Sequence, residues 1–137
     1  MRFFGLNVYD ARLWTDSDFR ADQYAQHALA LELSYLRDLS GQAIAERSLK
    51  EMRRAGNITP EQAQAWLSAM QTAFPDVKAG DRITGSHDPK KGATFWFNGQ
   101  VRATMADREF SRLFFGIWLA STTSEPKLRE QLLAGCA

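Results

Sequence analysis

The chain has 137 residues, of which 45% are hydrophobic and 12% aromatic, so it is long and apolar enough to fold as one domain over residues 1–137. Its 17 lysines and arginines nearly balance its 16 aspartates and glutamates, leaving a net charge of +1. A dedicated nucleic-acid binder needs a concentrated basic surface, so this composition predicts no nucleic-acid partner.

Two strands are predicted in the first part of the chain. Residues 2–14 favour an extended conformation with apolar side chains on both faces, which predicts one long and largely covered strand. After a polar connection, residues 28–36 alternate apolar and polar side chains, which predicts a strand with one face in solvent.

Two helices are predicted to follow these strands. Ser40 is the predicted N-cap of the first helix, and Gly56 is its predicted C-cap because glycine tolerates the backbone conformation needed there. The run Thr59-Pro60-Glu61-Gln62 combines a cap, a proline in the first turn and a glutamine at the capping-box position. The second helix is therefore predicted to begin there and to end before Pro75.

A β-hairpin is predicted around Asn98-Gly99, which lies between the strand-like segments 93–97 and 100–103. Both turn positions tolerate positive φ, so this dipeptide is a strong signal for a two-residue turn. The aromatic residues around Trp96 alternate between the two faces of their strand. They form either a packing surface or a platform that stacks bases, and packing is favoured because few basic residues are nearby.

The segment 103–119 predicts an apolar helix around which the rest of the chain is organised. Thr104 is its predicted N-cap, Asp107 supplies a first-turn carboxylate, and Gly116 is interpreted as a packing glycine. Large side chains recur at helical spacing: Phe110, Leu113, Phe114 and Ile117. Such a helix must be covered by a broad surface. Together with a last helix near 124–135, the pattern predicts an α+β fold with a mostly antiparallel sheet and helices packed on one face.

The sequence shows no motif for metal, nucleotide or serine-hydrolase chemistry, so no cofactor is expected. His27 and His87 have no partners at ligand spacing and are interpreted as ordinary surface histidines. The single cysteine, Cys136, allows no intrachain disulfide, and no apolar run is long enough to span a membrane. No signal peptide is visible. A chain that opens within a strand is expected to have lost upstream residues, including any leader.

Several motifs taken together resemble the bacterial chalcone-isomerase-like family. They are FFGLNVYDARLW at the start, YLRDLSG before the first helix, FPDVKAGD before the hairpin, FNG at its turn, and FFGIWL with TSEPKLREQLL near the end. This resemblance spans nearly the whole chain and implies an open-faced β-sandwich, with a ligand cleft between a large antiparallel sheet and a layer of helices. Because bacterial members commonly carry an export signal, it also implies a periplasmic location.

The same resemblance places the family's working residues on this chain. Plant chalcone isomerases use an arginine upstream of the first motif, a threonine, and a helix that carries a tyrosine, a lysine and an asparagine. The arginine would precede Met1, and the other positions fall on or beside Phe4, near Ala43 or Ile44, near Arg47 and near Glu51. Of these positions, only Arg47 keeps the positive charge of its counterpart, which is the lysine. Each lost acid/base or positioning group typically costs on the order of 10²–10⁴ in rate, so chalcone isomerisation is not expected.

Three hypotheses remain open from the sequence. The first is a non-catalytic domain that binds a small apolar, amphipathic or carboxylate ligand between sheet and helices; fatty-acid-binding relatives rely on the missing upstream arginine, which weakens the carboxylate version. The second is an isomerase or intramolecular lyase with Arg47 as the cationic stabiliser. The third is a protein-interaction module, motivated by exposure of Trp96 or Trp14. The candidate ligand-binding residues are Phe4, Tyr9, Tyr35, Arg47 and Glu51.

Overall fold

The structure, a computed structural model, describes residues 2–3 and 6–134. Within this part of the chain, the fold combines a five-stranded sheet, a separate two-stranded sheet and four α-helices. The elements are β1 Arg2–Phe3, β2 Leu6–Asn7, β3 Tyr9–Thr15, β4 Leu29–Tyr35, α1 Gly41–Met52, α2 Pro60–Ala73, β5 Arg82–Asp88, β6 Gly92–Phe97, β7 Gln100–Met105, α3 Arg108–Leu119 and α4 Pro126–Ala134. A 3₁₀ helix, Ala21–Gln26, lies between β3 and β4.

The main sheet has the strand order β3–β4–β5–β6–β7, and all neighbouring pairs are antiparallel. On β4, alternate side chains are buried, and those between them are only partly covered. This alternation gives the sheet one covered and one open face. The predicted α+β fold, an open-faced β-sandwich with helices on one face of a mostly antiparallel sheet, is therefore confirmed.

Helix α3 packs against the covered face and forms the centre of the core. Every member of its predicted apolar stripe is buried. The ring of Phe114 lies with its centroid 5.1 to 5.9 Å from five other rings, which are Phe74, Phe95, Phe110, Phe115 and Trp118. Aromatic pairs at such distances add about 0.5–1.5 kcal/mol beyond the burial of their area, so this cluster is a main source of cohesion between sheet and helices.

The N-terminus of α3 differs from the prediction. Thr104 lies within β7, and the N-cap is Asp107, whose side chain accepts a hydrogen bond from the backbone N–H of Phe110 at 3.0 Å. The other oxygen of Asp107 accepts from the indole Nε1 of Trp66 at 3.0 Å. One carboxylate therefore caps α3 and joins it to α2. The link to Trp66 is a contact between distant residues, so the local sequence around Asp107 could not reveal it.

The caps of α1 and α2 are largely as predicted. Ser40 accepts a hydrogen bond from the third residue of α1, and Thr59 forms the full capping box of α2. The predicted C-cap Gly56 is wrong, because α1 ends at Met52 and Arg53 is its C-cap. Helix signals fix an end only to within a few residues, and here the last turn closes before the glycine is reached.

The first predicted strand is not continuous. Its opening part contains two short antiparallel strands, β1 and β2, with Arg2 opposite Asn7 and Phe3 opposite Leu6, and β3 follows from Tyr9. One long strand and two short strands give the same alternation of side chains, so the period of two could not distinguish them.

The predicted hairpin turn at Asn98-Gly99 is confirmed. Both residues have positive φ, 48° and 86°, as this turn requires. Asn98 also accepts a hydrogen bond from the backbone of Arg82 at 2.8 Å and donates one to Asp81 at 3.2 Å. A hydrogen bond from the backbone of Lys78 and the one from Asn98 lower the pKa of Asp81. The turn is thus pinned to the start of β5.

Gly116 in α3 is confirmed as a packing glycine. A Cβ atom at this position would lie 2.6 Å from the hydroxyl oxygen of Tyr24 and 3.2 Å from the Cβ of Ala55. The Tyr24 hydroxyl donates to the backbone carbonyl of Arg112 at 2.8 Å. The missing side chain therefore lets the 3₁₀ helix dock on α3.

Candidate ligand site

A small cavity lies between the covered face of the sheet and helices α1 and α3. Its volume is about 20 Å³, which accommodates roughly one water molecule. The residues that line it are Tyr9, Leu33, Tyr35, Ile44, Ser48, Phe74, Ile83, Phe114 and Trp118. These lining residues carry no ionised side chain at neutral pH, so the described wall is apolar with a few hydroxyl groups and one indole.

Two tyrosines each contribute a hydroxyl group to the cavity wall. Tyr9 at the start of β3 lies directly opposite Tyr35 at the end of β4, so both side chains are on the covered face. Their rings meet edge to face with centroids 5.7 Å apart. Antiparallel pairing and alternation thus bring together two predicted site residues from separate parts of the chain.

The hydroxyl groups of the cavity wall differ in their hydrogen-bond partners. The Tyr9 hydroxyl accepts a hydrogen bond from the indole Nε1 of Trp118 at 2.7 Å, and the Ser48 hydroxyl donates to the backbone carbonyl of Ile44 at 2.7 Å. Tyr35 is only 3% exposed, and its hydroxyl has no hydrogen-bond partner in the described part of the protein. The cavity beside it has room for about one water molecule, so this hydroxyl is available to a partner from outside the protein.

Burial keeps both phenols protonated. It raises the pKa of Tyr35 far above the ordinary value, and it is also the main reason that the pKa of Tyr9 is raised. At Tyr9 the hydrogen bond from Trp118 partly opposes this rise, and the charges of Glu125 and Glu51 add to it. At neutral pH both phenols therefore keep a hydrogen that can be donated, and neither acts as a base.

The other predicted site residues lie elsewhere. Arg47 and Glu51 do not line the cavity; a guanidinium nitrogen of Arg47 lies 3.1 Å from a carboxylate oxygen of Glu51, one turn along α1. Glu51 is 5% exposed, and its second oxygen accepts from the hydroxyl of Ser124 at 2.8 Å. Phe4 lies outside the described residues. Ligand binding by these three residues stays a prediction.

His87 is not the surface residue that the sequence suggested. It is 3% exposed; its Nε2 donates to the backbone carbonyl of Ala25 at 2.8 Å, and its Nδ1 contacts the hydroxyl of Ser111. These contacts tie β5 to the 3₁₀ helix and to α3. Within the described residues, no group of three or more histidine, cysteine or acidic side chains is arranged to hold a metal ion.

Residues 2–134 match the model of a family described as chalcone isomerase-like. The chain belongs to this family. It is 32% identical over 127 residues to an uncharacterized protein of Haemophilus influenzae, a match that covers 93% of this chain and 61% of that protein, so the chain spans less than two thirds of that relative. The family resemblance of the sequence motifs is therefore confirmed.

A solved structure supports the fold of this chalcone isomerase-like chain. The crystal structure of an Arabidopsis thaliana fatty-acid binding protein superposes with a TM-score of 0.72 at 14% sequence identity, over 99% of this chain and 83% of the other. At such low identity the similarity establishes a common fold. No helix within residues 2–3 and 6–134 has the length and apolar character that crossing a membrane requires.

The chalcone isomerase-like cavity departs from the plant enzymes where the resemblance places their helix tyrosine. Ile44, one of the two candidate positions, lines the cavity with an apolar side chain. The roles of Ser48, Phe114 and Trp118 in the wall were missed by the sequence, which indicated only helix packing. Trp118 bonds Tyr9 across a separation of 109 residues, and no local signal could have revealed that contact.

Proposed function

We propose that this chalcone isomerase-like chain is a non-catalytic domain that binds a small apolar or amphipathic molecule between its sheet and its helices. The observation that carries the proposal is the uncharged cavity at this interface, with two buried tyrosines in its wall. The similar Arabidopsis protein is named a fatty-acid binding protein, which supports ligand binding as the class of function.

The cavity must widen to accept such a molecule. Pockets for drug-sized ligands typically enclose about 300–1,000 Å³, whereas this cavity has a volume of about 20 Å³. Binding therefore displaces packed rings such as Phe74 and Phe114, or moves α1 outward. The measured affinity is then reduced by the small fraction of molecules in the open state, so modest affinities are expected.

Isoleucine methyl groups provide a local test. Ile44 and Ile83 line the cavity, whereas Ile58, between α1 and α2, does not. When the ¹³C-methyl-labelled protein is titrated with decane, we expect saturable shifts of the Ile44 and Ile83 signals and little change at Ile58. Equal shifts of all three signals, or no saturable shift at the two cavity residues, would reject the proposal.

The catalytic alternative has less support. An isomerase or lyase that uses Arg47 needs this cation beside the substrate, but Arg47 pairs with Glu51 and does not line the cavity. The interaction-module alternative rests on exposed tryptophans, of which Trp14 is 50% exposed. Decane-induced shifts confined to the cavity methyl groups would favour ligand binding over both alternatives.

The periplasmic location implied by the family resemblance belongs to the same proposal. Osmotic-shock fractionation of bacterial cells that express the full-length gene tests it. Recovery with periplasmic marker enzymes is the expected outcome, and retention with cytoplasmic markers would contradict it.

A further inference from the structure

The Tyr35 hydroxyl is the one polar group of the cavity wall that has no protein partner among the described residues. It belongs to a side chain that is 3% exposed, and it lies opposite Tyr9 across the β3–β4 pair. As a protonated phenol it has a hydrogen to donate. A ligand that brings an oxygen acceptor into the cavity would satisfy this donor, whereas a pure hydrocarbon would leave it unpaired.

The charges around the cavity disfavour a negative ligand. After burial and Tyr35, Glu125 and Glu51 raise the pKa of the nearby Tyr9 hydroxyl, so two carboxylates lie close to this part of the wall. The cation of Arg47 is paired with Glu51 at 3.1 Å, and the described lining residues supply no positive charge. A carboxylate here would lose its water without gaining a counter-charge, and hydrogen bonds from neutral phenols do not restore that loss.

Building on the proposed function, we infer that the cavity selects an uncharged apolar molecule that carries one carbonyl oxygen, which accepts a hydrogen bond from the Tyr35 hydroxyl. Its hydrocarbon part contacts the ring and aliphatic side chains of the wall. The corresponding carboxylate is rejected, so the specificity differs from the ligand class after which the similar Arabidopsis structure is named.

Three probes with matched hydrocarbon chains test this specificity at neutral pH by isothermal titration calorimetry. They are methyl nonyl ketone, undecane and decanoate, which differ mainly at one end of the molecule. We expect the ketone to bind roughly 3- to 10-fold more tightly than undecane, because it gains one hydrogen bond. Decanoate should bind more weakly than both, because its charge must be desolvated.

Two tyrosine variants test which hydroxyl group donates a hydrogen bond to the ligand carbonyl. Tyr35→Phe should reduce the affinity for the ketone to that for undecane and leave undecane binding unchanged. Tyr24→Phe is the matched control, since it removes a hydroxyl that bonds Arg112 outside the cavity and should change neither affinity. The infrared carbonyl stretch of the bound ketone provides a readout in the unmodified protein, and it should lie at lower wavenumber than in hexane.

The outcomes separate this inference from the proposed function. If decanoate binds as tightly as the ketone, or if Tyr35→Phe binds the ketone normally, the inference is overturned while ligand binding stands. If none of the three probes binds, both fail. An unshifted carbonyl stretch would overturn the inference even if a tyrosine variant did not fold.

Discussion

Replacing Phe114 with alanine tests whether the aromatic cluster on α3 is the energetic centre of the fold. The side chain is 5% exposed and contacts five other rings. Phe-to-Ala changes in cores cost about 3–5 kcal/mol, and a residual void of roughly 100 Å³ alone contributes about 2.4 kcal/mol at ~24 cal/mol per Å³. Because rigid rings surround the site and limit its collapse, we expect a loss of about 4 kcal/mol. This is a large share of the ~5–15 kcal/mol typical of a domain.

Urea denaturation of Phe114→Ala measures this loss as a fall in the midpoint without a change in the slope. Phe19→Ala is the matched control, because Phe19 is only partly buried and its one described ring contact is with His27, at 5.5 Å. The control should lose about 1 kcal/mol, the usual effect of a substitution. Benzene should occupy the new apolar void of Phe114→Ala, and at ten times its dissociation constant it should restore about 1.4 kcal/mol.

Two results would refute this reasoning. A loss below about 1.5 kcal/mol would mean that Phe114 is not enclosed by its neighbours. Equal stabilisation of the unmodified protein and Phe114→Ala by benzene would mean that the ligand does not bind in the void left by the ring.

Three further perturbations test other parts of the structure. Gly116→Ala should lower the free energy of unfolding by about 1–3 kcal/mol in urea denaturation, because its new methyl group meets the hydroxyl of Tyr24, and Tyr24→Phe in the same chain should recover part of the loss. In a spectrophotometric titration, the tyrosinate absorbance of the folded protein should remain low at pH ~10, the pKa of free tyrosine, because Tyr9, Tyr24 and Tyr35 all have raised pKa values. The tyrosines of the unfolded state then lose their protons first, so the stability that they contribute below pH ~10 is lost as the pH rises further. Half-ionised tyrosines in the folded protein at pH ~10 would contradict the burial of these side chains. Because the pKa of Asp81 lies below its ordinary value of 3.8, the carboxylate contributes stability above pH 3.8 that is lost as the pH falls. Asp81→Asn should therefore show a weaker loss of stability in acid. An unaltered acid-unfolding profile for this variant would show that the turn does not hold the carboxylate.

The structural features that the sequence predicts best are those that depend on residues close together in the chain. The capping box at Thr59, the turn at Asn98-Gly99 and the alternation along β4 depend on contacts within a few residues, and the structure confirms them. The apolar stripe of α3 also predicts that a sheet covers this helix. Local geometry and the need to bury apolar surface are both encoded over short stretches of chain.

Features that depend on the packing of distant segments could not be predicted. Asp107 replaces Thr104 as the cap of α3 because its carboxylate also serves Trp66 from α2. His87 is buried because the 3₁₀ helix and α3 close over β5, which its own sequence neighbourhood does not show. The cavity is likewise a space between elements, so its wall becomes visible only when sheet and helices are assembled.

The hairpin turn also affects how the protein ages during storage. An asparagine followed by glycine readily loses its side-chain amide nitrogen, because the adjacent backbone nitrogen can attack the side-chain carbonyl. At Asn98 this deamidation would replace the group that donates to Asp81 at 3.2 Å with a second carboxylate. Two negative charges would then repel each other at the start of β5, so old preparations should contain a deamidated form that unfolds more easily than fresh protein.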